Sequence, residues 1–97
     1  MAKYWMSFRI DADAGYQRRY DGMIEAITHH GTGFWDAPTS FIAMESASSI
    51  GVIAKSVKEK LAPKDFFMIR EITKDSVRYI GKPGDGFDYF FPNAKEV

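Results

Sequence analysis

The sequence predicts an α+β fold in which two helices cover one face of a four-stranded antiparallel sheet. The chain of 97 residues is the size of one domain, without room for a second independent core. Its 45% hydrophobic and 27% charged residues are typical of a globular protein rather than a disordered one. Segments that alternate every second residue are separated by two segments of helical period, and this order is the main indication of the fold.

The first strand and helix occupy the first third of the chain. A strand is predicted at residues 3–11, because its even-numbered positions are apolar: Tyr4, Met6, Phe8 and Ile10. A helix is predicted at residues 16–30, where apolar side chains recur every three or four positions. Asp13 is of a type that caps helix N-termini, and Gly31 is of a type that follows helix C-termini.

The middle of the chain contains two extended segments and a second helix. Residues 34–36 and 39–45 are extended, and Pro38 separates them because it cannot donate a hydrogen bond to a strand ladder. Pro63 ends the second helix. The apolar stripe of that helix consists of Ile50, Ile53, Ala54, Val57 and Leu61.

The last third combines a hydrophobic strand with an aromatic tail. Residues 66–72 begin apolar on both faces, which predicts a central strand. A turn at residues 73–76 and a short strand at 77–80 complete a domain at residues 1–81. Residues 82–97 form a loop and a tail with four rings: Phe87, Tyr89, Phe90 and Phe91. Because clustered rings are seldom left in water, we expect the tail to dock on its own domain or on a partner subunit.

The order strand, helix, strand, strand, helix, strand is that of the ferredoxin-like βαββαβ sandwich. Both helices are then expected on one face of the sheet, with the other face open and the C-terminal tail as an addition. In so small a domain a second copy commonly covers an open face, and the zero net charge favours self-association. We therefore expect a homodimer related by a two-fold axis.

Composition excludes several classes of function. The chain has no cysteine, so disulfides, thiol nucleophiles and cysteine zinc sites are absent. Thirteen basic and thirteen acidic side chains give zero net charge, which argues against a strongly basic nucleic-acid-binding protein. No apolar run is long enough to span a membrane and no signal-peptide core is present at the start, so we expect a cytoplasmic protein without a membrane partner.

Three segments carry a resemblance to a known superfamily: Ala-Lys-Tyr-Trp-Met-Ser-Phe at residues 2–8, Thr-Ser-Phe-Ile-Ala at 39–43, and Lys-Asp-Phe-Phe-Met-Ile at 64–69. They resemble the small ferredoxin-like superfamily of the CRISPR-associated spacer-integration small subunit, the VapD-type toxins and the SinR-like proteins. The SinR-like group is the most similar, and the resemblance covers residues 1–72. It implies homodimers that act around RNA or DNA. In the CRISPR branch it also implies a metal-dependent nuclease with an aspartate at the end of the first strand.

The position of that aspartate is ambiguous in this sequence. Alignment from the amino terminus places Arg9 there, whereas alignment from the following helix places Asp11 there. In the second alignment, the Asp11 carboxylates of two subunits would meet near the dimer axis, hold Mg²⁺ and serve as the catalytic and metal-binding residues. The alternative is that Asp11 and Asp13 only end the strand and cap the helix.

Four further residues are candidates for nucleic-acid binding. Arg9, Arg18 and Arg19 could contact phosphates, and Trp5 could stack on bases. The alternative is that these arginines are exposed helix charges or pair with carboxylates. His29 and His30 are interpreted as residues that stabilise the helix end, since adjacent helical side chains point in different directions.

These observations predict a nucleic-acid-associated homodimer and leave open whether it is an enzyme. The alternative function is a non-catalytic module that binds proteins through its open aromatic face and tail. Its support is the neutral charge, the ambiguous aspartate and the aromatic tail.

Overall fold

The computed structural model describes residues 1–73 and 76–97. The six elements of the main body are β1 (Ala2–Arg9), α1 (Tyr16–His30), β2 (Gly31–Trp35), β3 (Phe41–Ser46), α2 (Ile50–Lys58) and β4 (Phe66–Glu71). The C-terminal segment contains β5 (Arg78–Tyr79), α3 (Phe87–Phe90) and β6 (Lys95–Glu96). The predicted turn at residues 73–76 has its two central residues, Lys74 and Asp75, outside the described part of the chain.

The main sheet has four strands in the order β2-β3-β1-β4, and every neighbouring pair is antiparallel. The α+β class and the antiparallel four-stranded sheet are therefore confirmed, and the arrangement is compatible with a ferredoxin-like fold. The expectation that residues 66–72 form a central strand is wrong, because β4 lies at the edge of the sheet and β1 and β3 are central. The apolar residues of β4 belong to a strand with only one described neighbour.

The main hydrophobic core lies between the helices and one face of the sheet. The even-numbered residues of β1 point into it, as their alternation predicts, and meet Ile42 and Met44 of β3. Met23 and Ile27 of α1 complete the core together with Ile53 and Val57 of α2. Helices α1 and α2 therefore pack the centres of their apolar stripes on the same face of the sheet. Ile50 at the start of the α2 stripe is exposed, and Leu61 lies beyond the end of α2.

A helix and a strand meet without a loop at Gly31. Helix α1 ends at His30, and β2 begins at the next residue, with Gly31 in an extended conformation. A Cβ atom on Gly31 would overlap Met44 Sδ and would lie 3.3 Å from the Glu45 carbonyl oxygen. The absent side chain is what allows the backbone to approach β3 so closely.

The C-terminal segment packs on the opposite face of the sheet. Phe87, Phe90 and Phe91 form a second buried cluster with Trp35 of β2 and Ala43 of β3. The segment thus occupies part of the face that the sequence predicts to be open. Strands β5 and β6 pair in parallel and form a separate two-stranded sheet.

Polar contacts hold the same segment at two further points. The Trp35 indole N–H donates to the Pro83 carbonyl oxygen at 2.8 Å, which attaches the glycine-rich loop to the sheet. Lys3 Nζ donates to the Tyr89 carbonyl oxygen at 2.8 Å, and the Tyr89 hydroxyl donates to the Glu45 carboxylate at 2.9 Å. The hydrogen bond to Glu45 raises the pKa of the Tyr89 hydroxyl above its ordinary value.

Within the described residues, no helix has the length and apolar character that a bilayer crossing requires.

Candidate nucleic-acid interface

The uncovered part of the second sheet face is formed by β1 and β4. We call it the β1–β4 strip; its six side chains are Trp5, Ser7 and Arg9 of β1 and Phe66, Met68 and Arg70 of β4. The antiparallel register pairs Trp5 with Arg70, Ser7 with Met68, and Arg9 with Phe66. All six belong to positions that alternate with the core-facing residues, so they share the face that points away from the helices.

Arginine and aromatic side chains alternate across this strip. The Arg9 guanidinium carbon lies 5.9 Å from the centroid of the Phe66 ring, within the range of a cation–π contact. At the other end, Arg70 is the register partner of Trp5, and the Trp5 ring stacks on Phe41 with centroids 5.6 Å apart. The strip has two arginines and no acidic residue. A chain with zero net charge therefore still has a locally basic surface.

Phe66 and Met68 are the most exposed apolar side chains of the strip. Phe66 is 46% exposed and Met68 is 43% exposed, although both belong to a regular strand. Sequence reasoning did not identify them, nor Arg70, as surface residues, because an apolar run predicts burial on both faces. The signal that distinguishes them is the position of β4 at the sheet edge, which only strand pairing determines.

Asp11 lies just beyond the end of β1. Its backbone N–H donates to Asp65 Oδ1 at 2.9 Å, which holds the chain at the strand end. Its side chain is 53% exposed, and Lys64 Nζ lies 3.9 Å from Asp11 Oδ2. Asp11 therefore offers one half-exposed carboxylate beside an ammonium group. Across residues 1–73 and 76–97, no three His, Cys, Asp or Glu side chains come together as a metal site.

A buried carboxylate organises the loop next to Asp11. The Asp65 side chain has no exposed surface. It accepts hydrogen bonds from the backbone N–H groups of Ala62 at 2.8 Å and Asp11 at 2.9 Å, and from Arg19 Nε at 2.8 Å. Burial by itself raises the pKa of Asp65, but these hydrogen bonds and the Arg19 charge outweigh it and hold the pKa below its ordinary value of 3.8.

Arg19 is held by carboxylates of its own chain. Besides the contact with Asp65, Arg19 Nη1 donates to Asp13 Oδ1 at 3.0 Å and Nη2 donates to the Asp11 carbonyl oxygen at 3.2 Å. Lys64 also pairs with Asp13. These contacts hold the pKa of Asp13 far below its ordinary value, and the hydrogen bond from Lys64 lowers it more than the one from Arg19 does. The cluster joins the end of β1, the start of α1 and the loop before β4.

The four residues that the sequence predicts to contact nucleic acid do not form one surface. Arg9 and Trp5 share the β1–β4 strip, although Trp5 is half-buried against the C-terminal segment. Arg18 lies on α1, on the opposite side of the sheet, in a shallow groove that also contains Asp21 and Glu25. Arg19 faces the carboxylate cluster.

The two histidines have different surroundings at the end of α1. His30 Nδ1 lies 3.0 Å from Ser48 Oγ, and His30 Nε2 lies 2.8 Å from Ser56 Oγ. Its ring thereby connects the end of α1 to the loop before α2 and to α2 itself. His29 is exposed and contacts the His30 ring edge-to-face. This arrangement agrees with a structural role for His30.

Comparison with known proteins adds no family assignment. No protein-family model matches this chain, and no curated protein matches it. The candidate site therefore rests on the residues and distances given above.

Proposed function

We propose that this protein is a homodimeric, ferredoxin-like domain that binds single-stranded RNA or DNA through the β1–β4 strip. The strand order β2-β3-β1-β4, with α1 and α2 on one face, supports the ferredoxin-like assignment. Single-strand-binding surfaces combine cationic side chains that contact phosphates with aromatic rings that stack on bases. The strip has both kinds of side chain: Arg9, Phe66, Met68 and Arg70 are exposed, and Trp5 and Ser7 are half-buried.

The observation that carries the proposal is the alternation of Arg9 and Phe66 with Trp5 and Arg70. The exposed Phe66 ring provides a stacking surface, and the adjacent guanidinium of Arg9 contacts the phosphate that follows. Arg70 and its register partner Trp5 repeat this combination at the other end of the strip, beyond the Ser7–Met68 pair. Because no carboxylate belongs to the strip, a phosphate backbone meets no like charge there.

The test is fluorescence anisotropy with short labelled single strands of RNA and DNA over a range of salt concentrations. We expect binding that weakens with salt. The double substitution Arg9→Ala/Arg70→Ala removes two phosphate contacts, which reduces the logarithmic salt slope by about 1.4. Arg18→Ala, an exposed arginine outside the strip, is the matched control and leaves affinity and slope unchanged. Equal losses for the double variant and the control would contradict the proposal.

Stacking is tested separately at Phe66. The substitution Phe66→Leu keeps an apolar side chain of similar reach but removes the ring. We expect weaker binding with an unchanged salt slope, because no phosphate contact is lost. An unchanged affinity would remove Phe66 from the site.

Nuclease activity is not part of the proposal, but Asp11 is the residue that tests it. Mg²⁺ favours oxygen ligands, and the half-exposed Asp11 carboxylate is one such ligand, with Lys64 beside it. We expect bound strands to stay intact when Mg²⁺ is added. Cleavage that requires Mg²⁺ and disappears in Asp11→Asn would make the protein a metal-dependent nuclease instead.

A protein-interaction module is the second candidate. Its support is the apolar groove of about 360 Å³ between the C-terminal segment and the sheet, lined by Trp5, Trp35, Phe41 and Phe87 among others. If the wild-type protein binds no oligonucleotide at low salt, this second function replaces the first.

A further inference from the structure

The outer edge of β4 has backbone groups that no described strand pairs with. The Ile72 backbone N–H donates to the Lys3 carbonyl oxygen, so residue 72 turns its backbone toward β1. In an antiparallel ladder the direction of the backbone N–H and C=O groups alternates from one residue to the next. The backbone groups of Phe66, Met68 and Arg70 therefore also point toward β1. Phe67, Ile69 and Glu71 therefore direct their N–H and C=O groups outward.

This edge lacks most of the features that usually prevent strand addition, and its two charged side chains, Arg70 and Glu71, stand together at one end. The six residues of β4, Phe-Phe-Met-Ile-Arg-Glu, include no proline, no lysine and no glycine. The pairing of β4 with β1 is regular, without a bulge. Phe66 and Met68 leave apolar surface exposed next to the edge. Such an edge is a template for a further strand.

We propose that β4 of a second copy of this chain pairs antiparallel with β4, about a two-fold axis that passes beside Met68. The two sheets then form one continuous sheet of eight strands. This inference rests on the homodimer in the proposed function and specifies its geometry.

The composition of β4 selects this partner and this register. With Met68 on the axis, Phe67 is opposite Ile69 of the partner subunit, and Phe66 is opposite Arg70 of the partner subunit. Apolar residues meet on the helix side, and a ring meets a guanidinium on the strip side. A register centred on Ile69 would instead place the Glu71 carboxylate opposite Phe67. Residues 66–70 are thus self-complementary, whereas Glu71 falls opposite Asp65 of the partner subunit, a residue that precedes β4 and whose carboxylate is already paired with Arg19.

The proposed pairing enlarges the nucleic-acid surface. It places two β1–β4 strips side by side on one face, with the strand order β1-β4-β4-β1 across the axis. The Arg70 side chain of one subunit then joins Phe66 of the other, so each half of the surface takes a residue from both copies.

The same pairing keeps the two Asp11 carboxylates apart. The two β1 strands are separated by three strand spacings, or about 14 Å. Asp11 also lies beyond the end of β1, four positions from the level of the axis, in opposite directions in the two copies. The resulting distance exceeds about 25 Å. Two Asp11 side chains therefore do not share one Mg²⁺ ion in this dimer.

The absence of native cysteine allows a direct test with single cysteines. Met68→Cys places two thiols at a non-hydrogen-bonded pair, where Cα atoms are about 4.5 Å apart and a disulfide is possible. We expect a covalent dimer after mild oxidation. Ser7→Cys is the matched control, because Ser7 lies on the same face at the same level but one strand further from the axis. It should stay uncrosslinked.

Sedimentation equilibrium measures the association itself. Met68→Lys places like charges opposite each other on the axis, and we expect the dimer dissociation constant to rise at least about tenfold. Val52→Lys, at an exposed apolar position on α2, should leave it unchanged. Circular dichroism establishes that both variants are folded.

Three results would overturn the pairing: a wild-type monomer, a dimer without crosslinking at Met68→Cys, or a disulfide dimer of Asp11→Cys. None of these depends on oligonucleotide binding. If Met68→Cys crosslinks and no strand binds, the proposed function is wrong and the pairing is supported. If strands bind and Met68→Cys stays monomeric, the pairing is wrong and the binding proposal is unaffected.

Discussion

The packing of the C-terminal segment predicts a large cost for Phe90→Ala. Phe90 belongs to the short helix α3, and only 2% of its surface is exposed. It lies in the cluster that α3 forms with Trp35 and Ala43 on the second sheet face. The substitution removes the transfer free energy of a phenyl ring and leaves a cavity that rigid neighbours fill only in part.

The expected loss is about 3–5 kcal/mol of unfolding free energy. A domain of this size has a total of roughly 5–15 kcal/mol, so this single ring contributes a large fraction. The assay is equilibrium urea unfolding, followed by tryptophan fluorescence and by far-ultraviolet circular dichroism at one protein concentration. The two probes should report one coincident transition at a lower urea midpoint.

The control is Ile80→Ala in the same segment. Ile80 is 85% exposed, so its truncation should change stability by less than about 0.5 kcal/mol. A loss below about 1 kcal/mol for Phe90→Ala would refute the reasoning. It would mean that α3 is not docked on the sheet in solution and that the second face is open.

Two further predictions concern the main body of the domain. Gly31→Ala should cost about 1–3 kcal/mol in urea unfolding, because its Cβ overlaps the buried Met44 side chain. Gly51→Ala, where the added Cβ points into open space, is the control, and equal effects would contradict the clash. The lowered pKa values of Asp13 and Asp65 give stability that is fully present above the ordinary value of 3.8 and is lost as pH falls through the folded-state values. Asp65→Asn should therefore destabilise the protein strongly at neutral pH and progressively less below about pH 4, whereas a difference independent of pH would show that the charge of Asp65 does not matter.

The β1–β4 strip and the C-terminal segment divide the second sheet face between them. The segment covers the part near Trp35 and Ala43, while Phe66 and Met68 stay exposed. A partner or ligand therefore has the strip and the outer edge of β4 available to it. This division is why the proposed interface is located at β4 and not at the centre of the sheet.

The sequence by itself determined which residues form the main core. The even-numbered residues of β1 and the central residues of both helical stripes are buried as predicted, because periodicity decides which side of an element is apolar. Tyr16 and Ile50, which begin the two stripes, are exposed. The α+β class followed from the same patterns. Gly31 follows the last residue of α1 as predicted, but its backbone is extended, and its close approach to β3 is what requires glycine there.

Only the tertiary structure decided the position of β4 and the surroundings of each charge. Residues 66–69 are apolar throughout, and no local pattern distinguishes a central strand from an edge strand that carries an exposed apolar face. The pairing of Arg19 with Asp65 joins residues 46 positions apart, and nothing in the neighbourhood of either residue indicates it. Local periodicity reports which face of an element is apolar, whereas neighbours across a sheet depend on how distant segments pack.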